Sequence, residues 1–429
     1  MNNQYPNGRR PANQSIQRRN AGGPVQKSSA AGSRPVQGSA KAPSKKVRTP
    51  AWKVLVTVLI LVISVAIVLS VALSVFGIPF IGKLPGHSGF IDQLEPSVDS
   101  DSNWKNSEDG KPVLSGDRQG KAAYNFLVAG LNDDTGNNTD TLMIVHFDVD
   151  NKNINVVQIP RDTYINAGYN FHKINSVFAA GFNRAEYGTE KEQRRKAGMD
   201  ELCEFIETNM AIKIDYTVLV DLSAFVGFID KLGGLHVTVP CDMRYSDPEQ
   251  NLEINLTAGE QVLSGYDAMC MVRNRKTYAD ADYGRMDVQK IVLAALLRQV
   301  KENFTNLSTL SGLLSIALND VTTNLKLDEC LYFAGKAMEM DMGNIRMLTI
   351  PTQEASGHIT LLKTDAVDVV NGYLNVYKQA ITAEAFDPKC RLTNTKDANQ
   401  HNTYLYNQME YKVYTADHVD EDISLHVMK

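Results

Sequence analysis

The stretch NFLVAGLNDDTGNNTDTLMIVHF, residues 125–147, sets the pattern for the globular part of this chain. Two short apolar runs, at 125–129 and 141–147, flank a loop rich in Asp, Asn and Gly. Apolar runs of this length, bounded by turn residues, are typical of buried strands. Similar runs predict further strands at 154–159, 216–220, 235–239 and 345–350.

Segments with helical spacing lie between these strands. Met199, Leu202, Cys203 and Ile206 recur at i, i+3, i+4 and i+7, which marks one apolar face of a helix. Comparable patterns predict further helices at 222–232, after Asp287, and at 308–318, 327–340 and 362–382. Because helices alternate with strands, the sequence predicts one α/β domain with a central sheet.

The first 53 residues differ from the rest of the chain in charge. They contain 11 Lys and Arg and no Asp or Glu, whereas residues 54–429 contain 33 Lys and Arg against 49 Asp and Glu. A basic segment with few apolar residues cannot offset its ordering entropy, so residues 1–50 are predicted to be disordered. The acidic remainder excludes nucleic-acid binding through bulk charge.

An uncharged apolar segment follows the basic tail. No charged residue occurs from Val54 to Ile81, and about 20 apolar residues suffice for a helix to cross a bilayer. Residues 51–80 are therefore predicted to form a transmembrane helix. We favour an uncleaved anchor over a secretory signal, because a signal has a much shorter charged leader. The positive-inside rule then predicts a cytoplasmic N-terminus and an extracytoplasmic domain in the cell membrane.

These features divide the chain into five predicted parts. They are a disordered basic tail at 1–50, a transmembrane helix at 51–80, a stalk at 81–120, a globular catalytic domain at 121–388 and an unassigned C-terminal extension at 389–429.

The first group of candidate functional residues surrounds the loop between the first two strands. Asn132, Asp133 and Asp134 follow one strand, and Asp140 lies at the start of the next. Carboxylates at adjacent strand ends can hold a hard cation such as Mg²⁺ through one or two oxygens. A turn in which Asp and Asn side chains cap the strands explains the same residues without a metal. Spacing alone leaves both interpretations open.

The second group follows the strand at 154–159. Arg161 and Asp162 come directly after it, and Lys173 lies a few residues further on. Loops at strand ends are where α/β sheets bind ligands. The alternative is a surface ion pair, which contributes little to stability.

The third group consists of Arg273, Arg275, Asp282, Arg285 and Gln289. In an extended segment Arg273 and Arg275 point to the same side, and in a helix Arg285 and Gln289 share a face. Three guanidiniums and an amide can therefore be directed at one site, with Asp282 beside them. Since a guanidinium binds phosphate oxygens bidentately and keeps its charge, the group indicates a phosphate or pyrophosphate site. The alternative is that these arginines pair with neighbouring acids.

Taken in order, these groups resemble the LytR-CpsA-Psr family of cell-wall glycopolymer ligases, over roughly residues 123–300 and less clearly to about 385. The strings that carry the resemblance are Thr139-Asp140-Thr141, Ile159-Pro160-Arg161-Asp162, Lys173-Ile174-Asn175, Leu232-Gly233-Gly234-Leu235-His236-Val237, Leu263-Ser264-Gly265-Tyr266-Asp267-Ala268 leading into Arg273-Asn274-Arg275, and Asp280-Ala281-Asp282-Tyr283-Gly284-Arg285 with Gln289.

The resemblance implies both a fold and an activity. The fold is α/β, with a central mixed sheet flanked by helices and an apolar cavity for a polyprenyl chain. The activity is that of a phosphotransferase, which moves a glycopolymer phosphate from a polyprenyl-pyrophosphate carrier to a peptidoglycan hydroxyl. The cofactor is Mg²⁺, or Mn²⁺ in its place. Because the carrier lies in the membrane, the predicted anchor suits such an enzyme.

The resemblance also implies a role for each matching residue. Those expected to bind the substrate pyrophosphate are Arg161, Lys173, Arg273, Arg275, Arg285 and Gln289. Asp140 is expected to hold the metal, with Asp133 or Asn132 beside it. Asp282 is expected to orient the arginines or to assist proton transfer.

The chain departs from the family pattern at three positions. Asn132 stands where the family usually has Asp, Asn138 where it often has Arg, and Val288 where an arginine commonly precedes the glutamine. Asn132 can coordinate a metal only as a neutral ligand. The alternative function is therefore a non-catalytic envelope protein that binds lipid-linked precursors and acts as a sensor or a transcription attenuator.

Overall fold

A computed structural model describes residues 117–120, 122–131, 138–166, 168–169, 172–184, 186, 188–248, 252–279, 281–303, 312–313, 315–316, 320–355, 358–386, 392–393 and 412–423. The basic tail, the predicted transmembrane segment at 51–80 and the loop residues Asn132, Asp133 and Asp134 lie outside these ranges. Within these ranges, no helix is both long enough and apolar enough to cross a membrane.

The strands are, in chain order, β1 (Ala123–Leu131), β2 (Thr139–Asp148), β3 (Asn153–Gln158), β4 (Tyr216–Val220), β5 (Leu235–Val239), β6 (Met243–Asp247), β7 (Leu252–Leu256), β8 (Gly259–Leu263), β9 (Val321–Thr323), β10 (Ile345–Thr349), β11 (Thr352–Ala355), β12 (His358–Leu362), β13 (Leu392–Thr393) and β14 (Tyr414–Thr415). The strands predicted from apolar runs are thus confirmed to within two residues at each end.

Seven of these strands form the central sheet of the described region, in the order β14-β10-β3-β2-β1-β4-β9. The strands β1, β3, β4 and β10 run parallel to one another, whereas β2, β9 and β14 run antiparallel to their neighbours. The sheet is therefore mixed, and the carboxyl ends of its four parallel strands lie along one edge. Open α/β sheets bind their ligands outside this edge.

The helices are α1 (Asn175–Phe182), α2 (Lys191–Met210), α3 (Leu222–Leu232), α4 (Gly265–Arg273), α5 (Asp282–Asn303), α6 (Leu327–Met338), α7 (Lys363–Val369) and α8 (Val419–Asp422). The predicted helices at 222–232 and 327–340 are confirmed, and so is the helix after Asp287. Most of the predicted helix at 308–318 lies outside the described ranges.

Both faces of the sheet are covered, because successive side chains of a strand point to opposite faces. On one face, Tyr124 and Phe126 of β1 pack against Phe333 of α6. On the other face, Leu127 and Ala129 belong to a core cluster that includes residues of α1, α2 and α7. Full burial of each large apolar side chain contributes about 1.5–3 kcal/mol. The fold is accordingly a mixed sheet flanked by helices.

Two parts of the chain differ from the predictions. The helix predicted at 362–382 ends early, because α7 passes into a π-helical turn at Val370–Leu374 and then into extended chain. The carbonyls of Leu374 and Val376 accept hydrogen bonds from Asn125 Nδ2 and Gln119 N instead of continuing a helix. In the unassigned C-terminal extension, β14 pairs with β10, and Val419 of α8 is buried in the core.

Candidate active site

The turn after β3 positions the second group of predicted residues. Thr163 donates hydrogen bonds from its backbone N and its Oγ1 to the carbonyl of Pro160, at 3.0 and 2.7 Å. This closes a tight turn with Arg161 and Asp162 at its centre. A bond of 3.3 Å from the backbone N of Asn175 to the carbonyl of Arg161 ties the turn to α1. Arg161 is thus fixed at the carboxyl edge of the sheet.

Helix α4 and the turn that follows it carry Arg273 and Arg275. Ser264 caps the start of α4 by accepting a 3.1 Å hydrogen bond from the backbone N of Asp267. The extended segment predicted for Arg273 and Arg275 is wrong, because Arg273 is the last residue of α4 and Arg275 follows the capping residue Asn274. Both arginines nevertheless line one small cavity.

Helix α5 carries the rest of the third group. It begins at Asp282, and Arg285 and Gln289 lie one turn apart on its buried side, as predicted. Ala281, just before the helix, has a φ of 47° in the left-handed region. That conformation costs a residue with a Cβ about 1–2 kcal/mol. Backbone strain of this kind concentrates at functional sites.

Asp140 joins the second and third groups. One carboxylate oxygen pairs with Arg161 Nη1, and the other lies 3.2 Å from Arg285 Nη1. Arg285 Nη2 also donates to the carbonyl of Asp140 at 3.0 Å and lies 2.9 Å from Asp282 Oδ1. The alternative in which arginines pair with acids therefore holds for Arg161 and Arg285.

Lys173 lies at the margin of this arrangement. Its Nζ is 3.0 Å from Asp162 Oδ1, and its side chain is 48% exposed. An exposed pair of this kind contributes at most about 1 kcal/mol. The structure therefore shows Lys173 in the surface ion pair of the alternative interpretation, and its contribution to the stability of the fold is small.

Arg161 and Arg285 differ in their electrostatic surroundings. Burial lowers the pKa of Arg161, but the nearby carboxylates of Asp140, Asp282 and Asp162 outweigh it, so the net shift is upward. For Arg285, burial is the largest effect and the net pKa shift is downward, because the attraction of Asp282 and Asp140 is opposed by repulsion from Arg161 and Arg275. Burial therefore outweighs the carboxylates in its effect on the pKa of Arg285, whereas at Arg161 the carboxylates outweigh burial.

The site also contains buried polar atoms without hydrogen-bond partners among the described residues. These atoms are Gln158 Oε1, Arg161 Nε, Asp282 Oδ1 and Oδ2, and Arg285 Nε. The Asp282 carboxylate forms ion pairs with Arg285, at 2.9 Å, and with Arg161, at 3.9 Å. Buried polar atoms in folded proteins are almost always satisfied. The site therefore offers donors, acceptors and excess positive charge to a polar anionic ligand.

The residues fit a magnesium ion held through few protein oxygens. Asp140 and Asp282 both contact Arg285, which brings two carboxylates to one place, and neither Asp282 oxygen accepts a hydrogen bond among the described residues. Mg²⁺ is commonly bound by one or two carboxylates, with water and substrate phosphates completing its shell. Within the described ranges, no cluster of three or more His, Cys, Asp or Glu side chains could hold a metal alone.

The sequence predictions missed several residues at this site. Tyr245, Leu252 and Lys276 line the same cavity as Asp140, Arg273 and Arg275. Lys276 extends the basic run of Arg273 and Arg275 and could have been included. Tyr245 and Leu252 belong to the β6–β7 hairpin, and the alternation in Leu252–Leu256 was its only signal.

The model of the LytR_cpsA_psr family matches residues 93–381. The polyisoprenyl-teichoic acid–peptidoglycan teichoic acid transferase TagV of Bacillus subtilis is 30% identical over 220 residues, which cover 49% of this chain and 52% of TagV. The cell wall biosynthesis protein LcpA of Corynebacterium glutamicum is 32% identical over 241 residues, which cover 52% of this chain and 45% of LcpA.

The matched region spans about half the length of these two relatives. Among solved structures, protein gbs0355 from Streptococcus agalactiae superposes with a TM-score of 0.50 and 17% identity, covering 61% of this chain and 91% of that one. At this identity the likeness concerns the fold alone.

Proposed function

The chain belongs to the LytR_cpsA_psr family, and from this membership and the geometry of the arginines we propose that it is a membrane-anchored glycopolymer–peptidoglycan phosphotransferase. Its donor is a glycopolymer linked to a polyprenyl pyrophosphate, and its acceptor is a peptidoglycan hydroxyl. The observation that supports this most strongly is that Asp140 contacts Arg161 and Arg285 and also lines the small cavity that Arg273 and Arg275 line, so that four arginines lie around one carboxylate. The similarity to TagV, a teichoic acid transferase, and to LcpA, a cell wall biosynthesis protein, supports a role in cell-wall assembly.

In the proposed reaction, the acceptor hydroxyl oxygen attacks the phosphorus that bears the glycopolymer. A new P–O bond forms, the P–O–P bridge to the lipid breaks, and polyprenyl phosphate leaves. Arg161, Arg285, Arg273 and Arg275 stabilise the charge that develops on the phosphate oxygens, which is the strongest contribution such sites make. The proton of the hydroxyl passes to Asp282, whose carboxylate oxygens accept no hydrogen bond among the described residues.

We propose that Asp140 holds Mg²⁺ or Mn²⁺, with Asp133 or Asn132 beside it. The ion would neutralise charge on the pyrophosphate as the P–O–P bridge breaks and polyprenyl phosphate leaves. Because few protein oxygens are involved, magnesium should bind weakly alone and more tightly with a pyrophosphate lipid. Calorimetric titration with and without that lipid measures the difference.

The experiment that tests the activity uses the full chain in detergent with a polyprenyl-pyrophosphate-linked oligosaccharide and peptidoglycan fragments. Release of polyprenyl phosphate that depends on the acceptor is expected, and a chelator should abolish it. Lipid binding without turnover would favour the non-catalytic envelope protein. A rate unchanged by the chelator would remove the metal from the mechanism and leave the arginines alone.

We also propose that residues 51–80 anchor the chain in the cell membrane with residues 1–50 in the cytoplasm. Support comes from the charge asymmetry of the sequence. Protease added to intact, wall-stripped cells should digest the chain beyond residue 83 and spare an epitope in the tail. Loss of the tail epitope would reverse the orientation.

A further inference from the structure

Two buried glutamines connect the elements that carry the arginines. Gln158 is the last residue of β3 and is 1% exposed, and Gln289 on α5 is 8% exposed. Gln158 Nε2 donates to Gln289 Oε1 at 3.2 Å, and Gln289 Nε2 donates to the carbonyl of Val272 on α4 at 3.4 Å. These two hydrogen bonds link β3, α5 and α4 in series.

An arginine lies close in sequence to each of the three residues that these hydrogen bonds join. Arg161 lies three residues after Gln158, Arg285 lies one helical turn before Gln289, and Arg273 directly follows Val272. A shift of one element relative to another would therefore change the spacing of the guanidiniums. Misplacement by about 1 Å can lower an enzyme's rate a hundredfold.

The resemblance implies that Gln289 contacts the substrate. In the structure, its amide oxygen and one amide N–H are used by Gln158 and by Val272. An amide has one acceptor oxygen and two donor hydrogens, so most of its capacity is taken up inside the protein. In a buried, low-dielectric setting such bonds hold a fixed geometry.

We infer that Gln158 and Gln289 form a positioning pair that sets the spacing of Arg161, Arg285 and Arg273. Gln158 has no counterpart among the roles that the resemblance implies. The effect of this pair on turnover rests on the proposed function. Its effect on the binding of inorganic pyrophosphate does not, because that binding depends only on the spacing of the three arginines.

The test compares Gln158→Met, Gln289→Met and the double variant, all in the full chain. Methionine fills a similar volume without either amide group. Inorganic pyrophosphate is the probe, and its affinity is measured by calorimetry. A lost hydrogen bond is worth about 0.5–1.5 kcal/mol, so each single variant should bind about threefold to tenfold more weakly. The double variant should bind pyrophosphate no more weakly than the weaker-binding single variant, because either change already breaks the series of hydrogen bonds that links β3, α5 and α4.

Gln299→Met is the matched control on the same helix. Gln299 is buried, donates to the carbonyl of Gly234 and accepts from the backbone N of His236, in contact with neither Gln158 nor Gln289. It should lower thermal stability and leave pyrophosphate affinity unchanged.

Other results would overturn the inference. If only Gln289→Met weakens binding, Gln289 is a direct ligand. If both single changes lower thermal stability but leave pyrophosphate affinity unchanged, as Gln299→Met should, the pair is merely structural. No pyrophosphate binding by the unaltered chain would overturn both the positioning role and the anion site. If the unaltered chain binds pyrophosphate but does not turn over the lipid substrate, the proposed transfer fails while the binding series still decides the role of the pair.

Discussion

At the amino end of β1, Asn125 uses every polar atom of its side chain, whereas the arginine site at the carboxyl edge leaves several atoms without partners. Asn125 Nδ2 donates to the carbonyls of Lys213 and Leu374, at 2.7 and 2.8 Å, and its Oδ1 accepts from His146 Nδ1 at 2.8 Å. Asp215 pairs with Arg118 and accepts from the backbone N of Asn125. We call Asn125, His146, Asp215 and Arg118 the amino-end cluster.

Several side chains of the arginine site are more exposed than those of the amino-end cluster, among them Asp140 at 21% and Asp162 at 28%. Arg161 and Arg285 contact the carboxylates of Asp140 and Asp282, Arg161 also lies near Asp162, and the pKa of Arg285 is lowered by burial and by neighbouring arginines. A satisfied polar cluster stabilises a fold, while an unsatisfied one lowers stability until a ligand binds. We therefore expect changes at the amino-end cluster to affect folding and changes at the arginine site to affect activity.

The largest effect is expected from Asp140→Ala. The change removes the carboxylate that pairs with both Arg161 and Arg285 and is the proposed metal ligand. Turnover of the lipid substrate should fall by about a hundredfold to a thousandfold, while some lipid binding remains. Asp133→Ala and Asp134→Ala are assayed in the same way. The variant with the larger loss of turnover identifies the acid that holds the metal beside Asp140, in place of the Asp that the family usually has at Asn132.

The matched control is Asp148→Ala at the opposite end of β2, where the carboxylate accepts hydrogen bonds from Asn151 in an exposed turn. Its turnover should stay within about twofold, as for most surface changes. Equal losses in Asp140→Ala and Asp148→Ala would remove the functional distinction between the two ends of the sheet.

Arg273→Lys and Arg275→Lys should each lower turnover by about tenfold to a hundredfold. Lysine keeps the charge but loses the bidentate fork, and a hydrogen bond to a charged group is worth about 1.5–3 kcal/mol. Rates are measured by polyprenyl phosphate release. Arg244→Lys is the control, because Arg244 is exposed on β6 beside Tyr245 of the cavity. Near-normal rates in both site variants, with intact folds, would assign these arginines a structural role.

Asn125→Ala should lower the stability of the fold and leave turnover unchanged, which is the opposite of the changes at the arginine site. It leaves the carbonyls of Lys213 and Leu374 without their donor in a buried setting. The free energy of unfolding should fall by about 1–3 kcal/mol, and turnover per folded molecule should not change. Urea denaturation and active-site titration measure the two quantities. Asn151→Ala, in the exposed turn after β2, is the control and should cost less than about 0.5 kcal/mol. A stability loss no larger than this would mean that the amino-end cluster does not stabilise the fold.

The smallest effect concerns pH. Burial is the main cause that lowers the pKa of His146 from its ordinary value of 6.5, partly opposed by Asp148 and Asp215. His146 is therefore neutral in the folded chain, and its contribution to stability is present above pH 6.5. It is lost as the pH falls from 6.5 towards the folded-state pKa, because the unfolded chain binds the proton more readily.

The loss should not exceed about 1.4 kcal/mol per pH unit. His146→Gln should show a flatter decline of stability over this window than the unaltered chain, as measured by denaturation at several pH values. Parallel curves would mean that His146 does not titrate between the two states.

Much of the fold could be predicted from the sequence because its strongest signals are local. The strands β4 and β5 are short runs dominated by apolar and β-branched residues, the helix α3 is largely apolar and ends at Gly233-Gly234, and the predicted limits of all three agree with the structure. The β6–β7 hairpin was missed because its residues alternate between buried and exposed and so form no continuous apolar run. Strand β14 has two residues and depends on its pairing with β10, so no local pattern could identify it.

By itself, the sequence determined the α/β class, the family resemblance and the types of residue that make an anion site. Those properties depend on periodicity and on the chemistry of single side chains. Only the tertiary structure decided that Asp140 is shared between Arg161 and Arg285, which lie 21 and 145 residues away along the chain. It also decided that Gln289 binds Gln158 across the interior. Such contacts arise when the sheet closes against α5, because packing then fixes which distant side chains meet and which polar atoms stay unpaired.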